Sequence, residues 1–162
     1  METFAIRPAT HQDIDGLISL YAEFHEFHVT GVPDRLRKPD TYDEATLRST
    51  LLEIIQQDDA QIFVADHEGK LVALAEVYLR QDEPQPLTVA HRYGYLQSLI
   101  VSAPFRKAGL GKQLAATAHQ WAKDQQATEM QVEIWEFTEG PLHFYEALGY
   151  RTLRRHLVTD LH

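Results

Sequence analysis

The sequence predicts an α/β fold: a single domain whose central sheet is covered by helices on both faces. Three observations lead there. The 162 residues are the length of one ordinary domain. Hydrophobic residues make up 44% of them, enough to bury a core and too many for a disordered chain. Strand-like and helix-like stretches alternate, and that alternation gives a sheet with helices on its faces and some parallel pairing.

The elements follow in order. Thr3–Arg7 reads as a short strand. Thr10 then caps a helix, with Asp13 three residues on in a capping-box pattern. Ile14, Leu17, Ile18, Tyr21, Phe24, His25 and His28 recur at helical spacing and mark one inward face. A glycine and two prolines in "TGVPDRLRKPD" make a loop. Tyr42–Gln57 predicts a second helix with Leu47, Leu51, Ile54 and Ile55 inward. "AQIFVADHEGKLVALAEVYLR" predicts a hairpin that turns at Asp66–Lys70, where Gly69 is free to take positive φ. A polar loop, "QDEPQPLTVAHR", leads to the apolar strand Tyr93–Val101. Gly109–Gln125 predicts a helix with Leu110, Leu114, Ala118 and Trp121 on one stripe. Met130–Trp135 predicts a strand, Glu139–Leu148 a helix closed by Gly149, and Tyr150–Val158 a final strand. No repeat, low-complexity tract or long linker divides the chain, so residues 1–162 are expected to form one domain.

Composition narrows the function classes. The net charge is −9, with no evident basic face, which argues against nucleic acid as a partner and favours a cationic substrate. There is no cysteine, which excludes disulfides, thiolate-bound zinc and a cysteine nucleophile. "METFAIRPAT" lacks the pattern of a secretory leader. No apolar run approaches the ~18 residues of a spanning helix. A cytoplasmic protein with no membrane partner is expected. His25 and His28 suggest zinc at first sight, but H-E-F-H is not the H-E-x-x-H spacing and no third ligand is evident, so no metal is expected.

The chemistry concentrates in "LIVSAPFRKAGLGKQLA", an apolar strand followed by a glycine turn and a helix start. The first turn of a helix offers unpaired N–H groups and the positive end of the helix dipole, and glycines let the backbone approach an anion. Arg106, Lys107 and Lys112 add charge. A phosphate or pyrophosphate is the natural guest. A P-loop reading fails, because Arg106 stands at the first glycine and Gln113 at the Ser/Thr. A dinucleotide fingerprint fails because Leu114 occupies its third glycine. The pattern [RQ]-x-x-G-x-[GA] fits at every fixed position as "RKAGLG".

With that loop, and with "IWEFTEGPLHFYEALGY" further on, the chain resembles the GNAT superfamily of acyl-CoA-dependent N-acetyltransferases. The resemblance is sharpest over Leu96–Leu114 and Ile134–Tyr150, where Phe144, Tyr145, Gly149 and Tyr150 match the second cofactor motif. Thr138 stands where asparagine is common, and Pro141 where alanine is common. The resemblance implies a mixed, mostly antiparallel sheet flanked by helices. It also implies acetyl transfer from acetyl-CoA to a primary amine by direct attack on the thioester. Acetyl-CoA would be held by Leu99, Ile100 and Val101, by Arg106, Lys107, Ala108, Gly109, Leu110, Gly111 and Lys112, and by Thr138. Tyr145 matches the family's frequent general acid; the alternative is a core tyrosine. The strand before the loop carries no glutamate, which makes Glu76 the first candidate for the base. Glu76 interrupts an apolar strand on the face of Val72, Leu74 and Tyr78. Pairing with an arginine or with the substrate ammonium are the alternatives for that carboxylate, and a water relay to a more distant group is the alternative base. Glu23, His28 and Tyr95 are the acceptor-pocket candidates. The expected acceptor is a small metabolite or antibiotic-like polyamine; a protein lysine or N-terminus is the runner-up. A CoA-binding sensor without turnover is the reading from another class. Dimers are common in the family, which puts a homodimer among the expected partners.

Overall fold

A computed structural model of the chain describes residues 3–162. Met1 and Glu2, which open the stretch read for a leader, lie outside the described residues. Five strands form one sheet in the order β1-β2-β3-β4-β5. They are β1 (Ala5–Pro8), β2 (Ala60–His67), β3 (Lys70–Gln81), β4 (Arg92–Val101) and β5 (Glu129–Gln131). The first four pair antiparallel, and β5 joins β4 in parallel. The helices are α1 (Ile14–Gly31), α2 (Glu44–Gln56), α3 (Leu110–Asp124) and α4 (Leu142–Ala147). The expected mixed, mostly antiparallel sheet with helices on both faces is therefore present. Among the described residues no helix is long and apolar enough to cross a membrane.

Alternation along the strands builds two cores. Ile62, Val64, Leu74 and Ile100 face α1 and α2, where Leu17, Leu20, Leu51 and Ile54 cover them. Phe63, Ala65, Ala75, Val77 and Leu96 face α3, where Leu110, Leu114 and Ala118 cover them. Leu17, Ile62, Leu74 and Leu114 are fully buried, and each contributes roughly 1.5–3 kcal/mol of apolar transfer. The start of α1 is fixed as its sequence suggests. The Asp13 carboxylate accepts the Thr10 N–H at 2.7 Å, and the Thr10 hydroxyl accepts the Gln12 N–H at 3.3 Å. Arg7 of β1 donates to both Asp13 oxygens at 2.7 and 3.0 Å, which pulls the Asp13 carboxyl below its usual range.

Three expectations need correction. Tyr150–Val158 forms no strand, and residues 151–162 are exposed throughout. A strand is made by its neighbour's hydrogen bonds, and nothing within the described chain supplies them. The fifth strand spans Glu129–Gln131 and stops short of Trp135, because β4 parts from it there. Val72 does not share the face of Leu74 and Glu76. A register shift opposite Ala65/Asp66 makes Val72 the extra residue of a bulge and turns it toward the α3 core.

Candidate active site

The site begins where β4 and β5 part. Their pairing runs only over Tyr93–Tyr95 against Glu129–Gln131. At the root of the split, Gly94 leaves the space into which Met130 Sδ packs; an added Cβ would also lie 2.8 Å from Ala122 Cβ. Beyond Tyr95, β4 continues through Val101 with no strand on that side among the described residues. A second bulge shapes this stretch. Val77 pairs with Leu96 and Glu76 with Ser98, which leaves Gln97 as the extra residue. Leu96 therefore faces the α3 core, whereas Ile100 faces the α1 core. Leu99, Ile100 and Val101 lie on the unpaired length of β4, with their backbone groups able to accept an added extended chain.

The glycine turn closes the end of this open edge. Gly109 caps α3 with φ 79°, and nothing lies within 4 Å of where its Cβ would be. Lys107 also has positive φ, at 66°. Gln113 donates the first helical bond, to the Gly109 carbonyl at 3.1 Å. The backbone N–H groups of Lys107, Ala108, Gly109, Leu110, Gly111 and Lys112 find no acceptor among the described residues. They form a row of free donors at the positive end of a helix of 15 residues, a setting suited to a pyrophosphate. The residues present thus fit the phosphate end and the extended arm of acetyl-CoA.

Arg106 faces inward rather than toward an anion. Its Nε–H donates to the Val101 carbonyl at 2.9 Å, its guanidinium stands 5.4 Å from the Phe27 ring centre, and Nη2 lies 3.5 Å from Glu23. Glu23 of α1 also accepts from the Ala103 N–H at 2.8 Å and the Ser102 hydroxyl at 3.0 Å. These bonds tie α1 to the turn between β4 and α3. Lys107 and Lys112 remain as the cations of the loop.

Tyr145 comes from α4 and is 6% exposed. Its ring packs against Phe144 and Tyr150, each at 5.2 Å between centroids. Its hydroxyl meets no hydrogen-bond partner among the described residues, although the hydroxyl of Tyr150 next to it lies 2.6 Å from His119 Nε2. Burial raises the Tyr145 phenol above its ordinary pKa. Phe144 reaches the α3 start: a Cβ at Gly111 would touch the Phe144 ring at 3.4 Å and Val101 at 3.6 Å. The second motif is thereby packed against the first.

On the α1 face, Glu76 is clamped. The Tyr21 hydroxyl donates to Oε2 and the Tyr78 hydroxyl to Oε1, each at 2.5 Å. Burial, followed by the nearby carboxylate, pushes the Tyr21 phenol well up. Tyr21 stands on the inward stripe of α1, 55 residues from Glu76. Its place on that stripe, with Tyr78 on the same strand face as Glu76, was the sequence signal for this network. His28 Nδ1 lies 2.9 Å from the Phe24 carbonyl. A carbonyl only accepts, so Nδ1 is the donor of this bond. The His28 ring sits among Phe24, Phe27 and Phe137. Thr138 follows Phe137 in the turn after β5. Gly31 is required opposite that turn, since a Cβ there would lie 2.5 Å from the Phe137 ring. Tyr95 pairs with Tyr78 across the strands, carries Arg80 3.8 Å over its ring, and donates at 3.5 Å to Glu133.

Known proteins share this architecture. A tetramutant of the BH1408 protein of Bacillus halodurans superposes with a TM-score of 0.87 at 24% identity, over 97% of this chain and 99% of that one. Glucosamine-6-phosphate N-acetyltransferase of Arabidopsis thaliana gives 0.72 at 20% identity, over 99% and 100%. AAC(6')-Iy in complex with the bisubstrate analogue CoA-S-monomethyl-acetylneamine gives 0.72 at 21% identity, over 99% of each chain. In sequence, aminoglycoside N(6')-acetyltransferase type 1 of Salmonella typhimurium is 25% identical over 108 residues, 64% of this chain and 70% of that protein. The family described as acetyltransferase (GNAT) matches residues 17–150, from α1 through the glycine turn to the end of the Tyr145 motif. The chain belongs to the GNAT acetyltransferase family, and is an acyltransferase with acetyl-CoA as its co-substrate.

Proposed function

We propose that residues 1–162 act as one N-acetyltransferase domain that acetylates a primary amine of a small molecule by direct attack on the acetyl-CoA thioester. The observation that carries this reading is the row of free amides at residues 107–112, set at the end of an unpaired strand edge. One end binds anions and the other accepts an extended polar arm. The relatives named above as aminoglycoside and glucosamine-6-phosphate acetyltransferases support a small-molecule amine, and the net charge of −9 favours a cationic one.

The geometry supports the following roles. The edge of Leu99, Ile100 and Val101 holds the arm, and an amide near Ile100 steadies the oxyanion. The loop amides, with Lys107 and Lys112, hold the pyrophosphate; Thr138 flanks the arm from the opposite turn. Glu76 takes the amine proton once the Tyr21 or Tyr78 hydroxyl gives up its bond to the carboxylate. The nitrogen then bonds to the acyl carbon and the C–S bond breaks. Tyr145 gives its proton to the departing thiolate, and the products are the amide and CoA. His28 and Tyr95 line the acceptor pocket. Glu23 has its oxygens engaged by the turn, so it positions the loop rather than the amine. A cytoplasmic homodimer is the setting we expect.

The test is thiol release from acetyl-CoA over polyamines, aminoglycosides, amino acids and lysine peptides, with Gly109→Glu beside the wild type. Release with a small amine, lost in the variant, is the expected result. Release with lysine peptides alone would move the acceptor to protein. Saturable acetyl-CoA binding without release from any amine would replace the enzyme by a sensor.

A further inference from the structure

We infer that Tyr78 is a catalytic residue: granted the proposed role of Glu76 as the final proton acceptor, the Tyr78 hydroxyl takes the proton of the acceptor amine and passes its own to Glu76. Glu76 has no open face for a substrate. It is 6% exposed and lies in the sheet between Ile62 of β2 and Ser98 of β4. Each of its oxygens accepts a phenol at 2.5 Å, Tyr21 at Oε2 and Tyr78 at Oε1. No ion pair reaches it among the described residues. An amine therefore meets a phenol before it meets the carboxylate.

The two phenols face different ways. Tyr21 stands on the inward stripe of α1, and its hydroxyl is buried between that helix and the sheet. The Tyr78 hydroxyl is only half-buried. Tyr78 pairs across the strands with Tyr95 of β4, the residue placed on the acceptor wall. Arg80, two residues on along the same face of β3, is exposed. Its guanidinium lies 5.9 Å from the Tyr78 ring centre and 3.8 Å from that of Tyr95. Tyr78 thus belongs to the open, aromatic part of the sheet, and Tyr21 to the covered part. The path from the cleft to the carboxylate runs through the Tyr78 oxygen.

The hydroxyl is set for that path. It donates to Oε1, which leaves its lone pairs free to accept from an N–H. When an ammonium donates to them, the N–H bond breaks and leaves its electron pair on nitrogen. The proton joins the Tyr78 oxygen, the Tyr78 O–H bond breaks, and that second proton joins Oε1. The ammonium becomes an amine, Tyr78 ends as the phenol it began as, and Glu76 ends neutral. The freed electron pair then attacks the acyl carbon. Tyr78 carries the proton without ionising on its own, because burial, followed by the bond to Glu76, raises its phenol above the ordinary range. Glu76, Tyr21, Tyr95, Arg80 and Asp59 are the titratable and charged groups that face it.

The test is kcat and KM from about pH 7 to about pH 10 for the wild type, Tyr78→Phe, Tyr21→Phe and Glu76→Gln. The substrates are acetyl-CoA and whichever of the polyamines, aminoglycosides, amino acids or lysine peptides the wild type acetylates fastest. Both phenylalanine variants keep the ring in place, and thermal melting checks that all three fold. Near pH ~7, Tyr78→Phe and Glu76→Gln should each lower kcat at least about 100-fold, with the KM for acetyl-CoA within about threefold. Tyr21→Phe removes a bond to the same carboxylate and should cost less than about tenfold. The Tyr78→Phe deficit should narrow at least about tenfold by pH ~10, where an amine of pKa about 10.4 arrives partly neutral and needs no relay. A Tyr78→Phe deficit no larger than that of Tyr21→Phe, or one unchanged up to that pH, would overturn the relay and leave Glu76 as the base. A wild-type rate in Glu76→Gln, or no amine acetylated by the wild type, would remove the base reading and the relay with it.

Discussion

Removing one phenol from the Glu76 clamp tests the α1 face of the site most directly. In Tyr21→Phe the ring stays in its packing and only the hydroxyl that donates to Oε2 at 2.5 Å is lost. A hydrogen bond to a charged group contributes about 1.5–3 kcal/mol, and Glu76 is 6% exposed, so water does not replace the lost donor in full. Tyr21→Phe should therefore cost about 1.5–3 kcal/mol, read as a fall in Tm of roughly 5–9 °C for a chain of this size. Denaturant titrations of wild type, Tyr21→Phe, Glu76→Gln and the double variant complete the cycle. The coupling between the two changes should be at least ~0.5 kcal/mol, because both remove the same charge-assisted bond. A Tyr21→Phe cost under ~0.5 kcal/mol, equal in both backgrounds, would show that the clamp does not hold Glu76 and refute the reasoning.

Three further outcomes are expected. Gly109→Ala meets no neighbour but must hold φ 79°, so it should lose about 1 kcal/mol of stability and bind acetyl-CoA more weakly by calorimetry. Tyr145→Phe should lower kcat at least about tenfold with unchanged acetyl-CoA affinity; equal loss of affinity would assign the phenol to binding. Tyr21 and Tyr145 keep their protons in the folded chain at pH values where unfolded tyrosines, near pKa 10, ionise. Their contribution is complete below about pH 10 and falls above it, with a slope of at most ~1.4 kcal/mol per pH unit for each. Denaturant midpoints from pH 8 to 11 would show it, and Tyr145→Phe should flatten the slope.

The parts legible in the sequence are those encoded locally. The stripe of Leu17, Tyr21, Phe24 and His28 gave α1 its inward face, and "RKAGLG" gave the helix start its free amides. What escaped is set by pairing across the chain. The extra residues Val72 and Gln97 change no composition and no periodicity long enough to notice, yet each turns the pleat over. The clamp joins residues 55 apart, and Glu23 reaches a turn 80 residues away. The stretch Tyr150–Val158 has a strand's residues but no neighbouring strand among the described residues. Its failure to pair reflects what surrounds it rather than what composes it.

The bulge at Gln97 also has a consequence for how this strand tolerates change. Successive N–H groups of a strand point to opposite sides. One extra residue at Gln97 is absorbed by the bulge, so the ladder with β3 resumes at Ser98 in the sense it had at Leu96. Exchange of Gln97 for another exposed residue leaves that ladder untouched. Its deletion would make the pairs Val77–Leu96 and Glu76–Ser98 consecutive, so Leu99, Ile100 and Val101 would keep their faces and only the local kink of the strand would be lost. At this point the strand carries one residue more than its pairing with β3 requires, and the extra residue acts on the bend of the open edge rather than on which side chains reach each core.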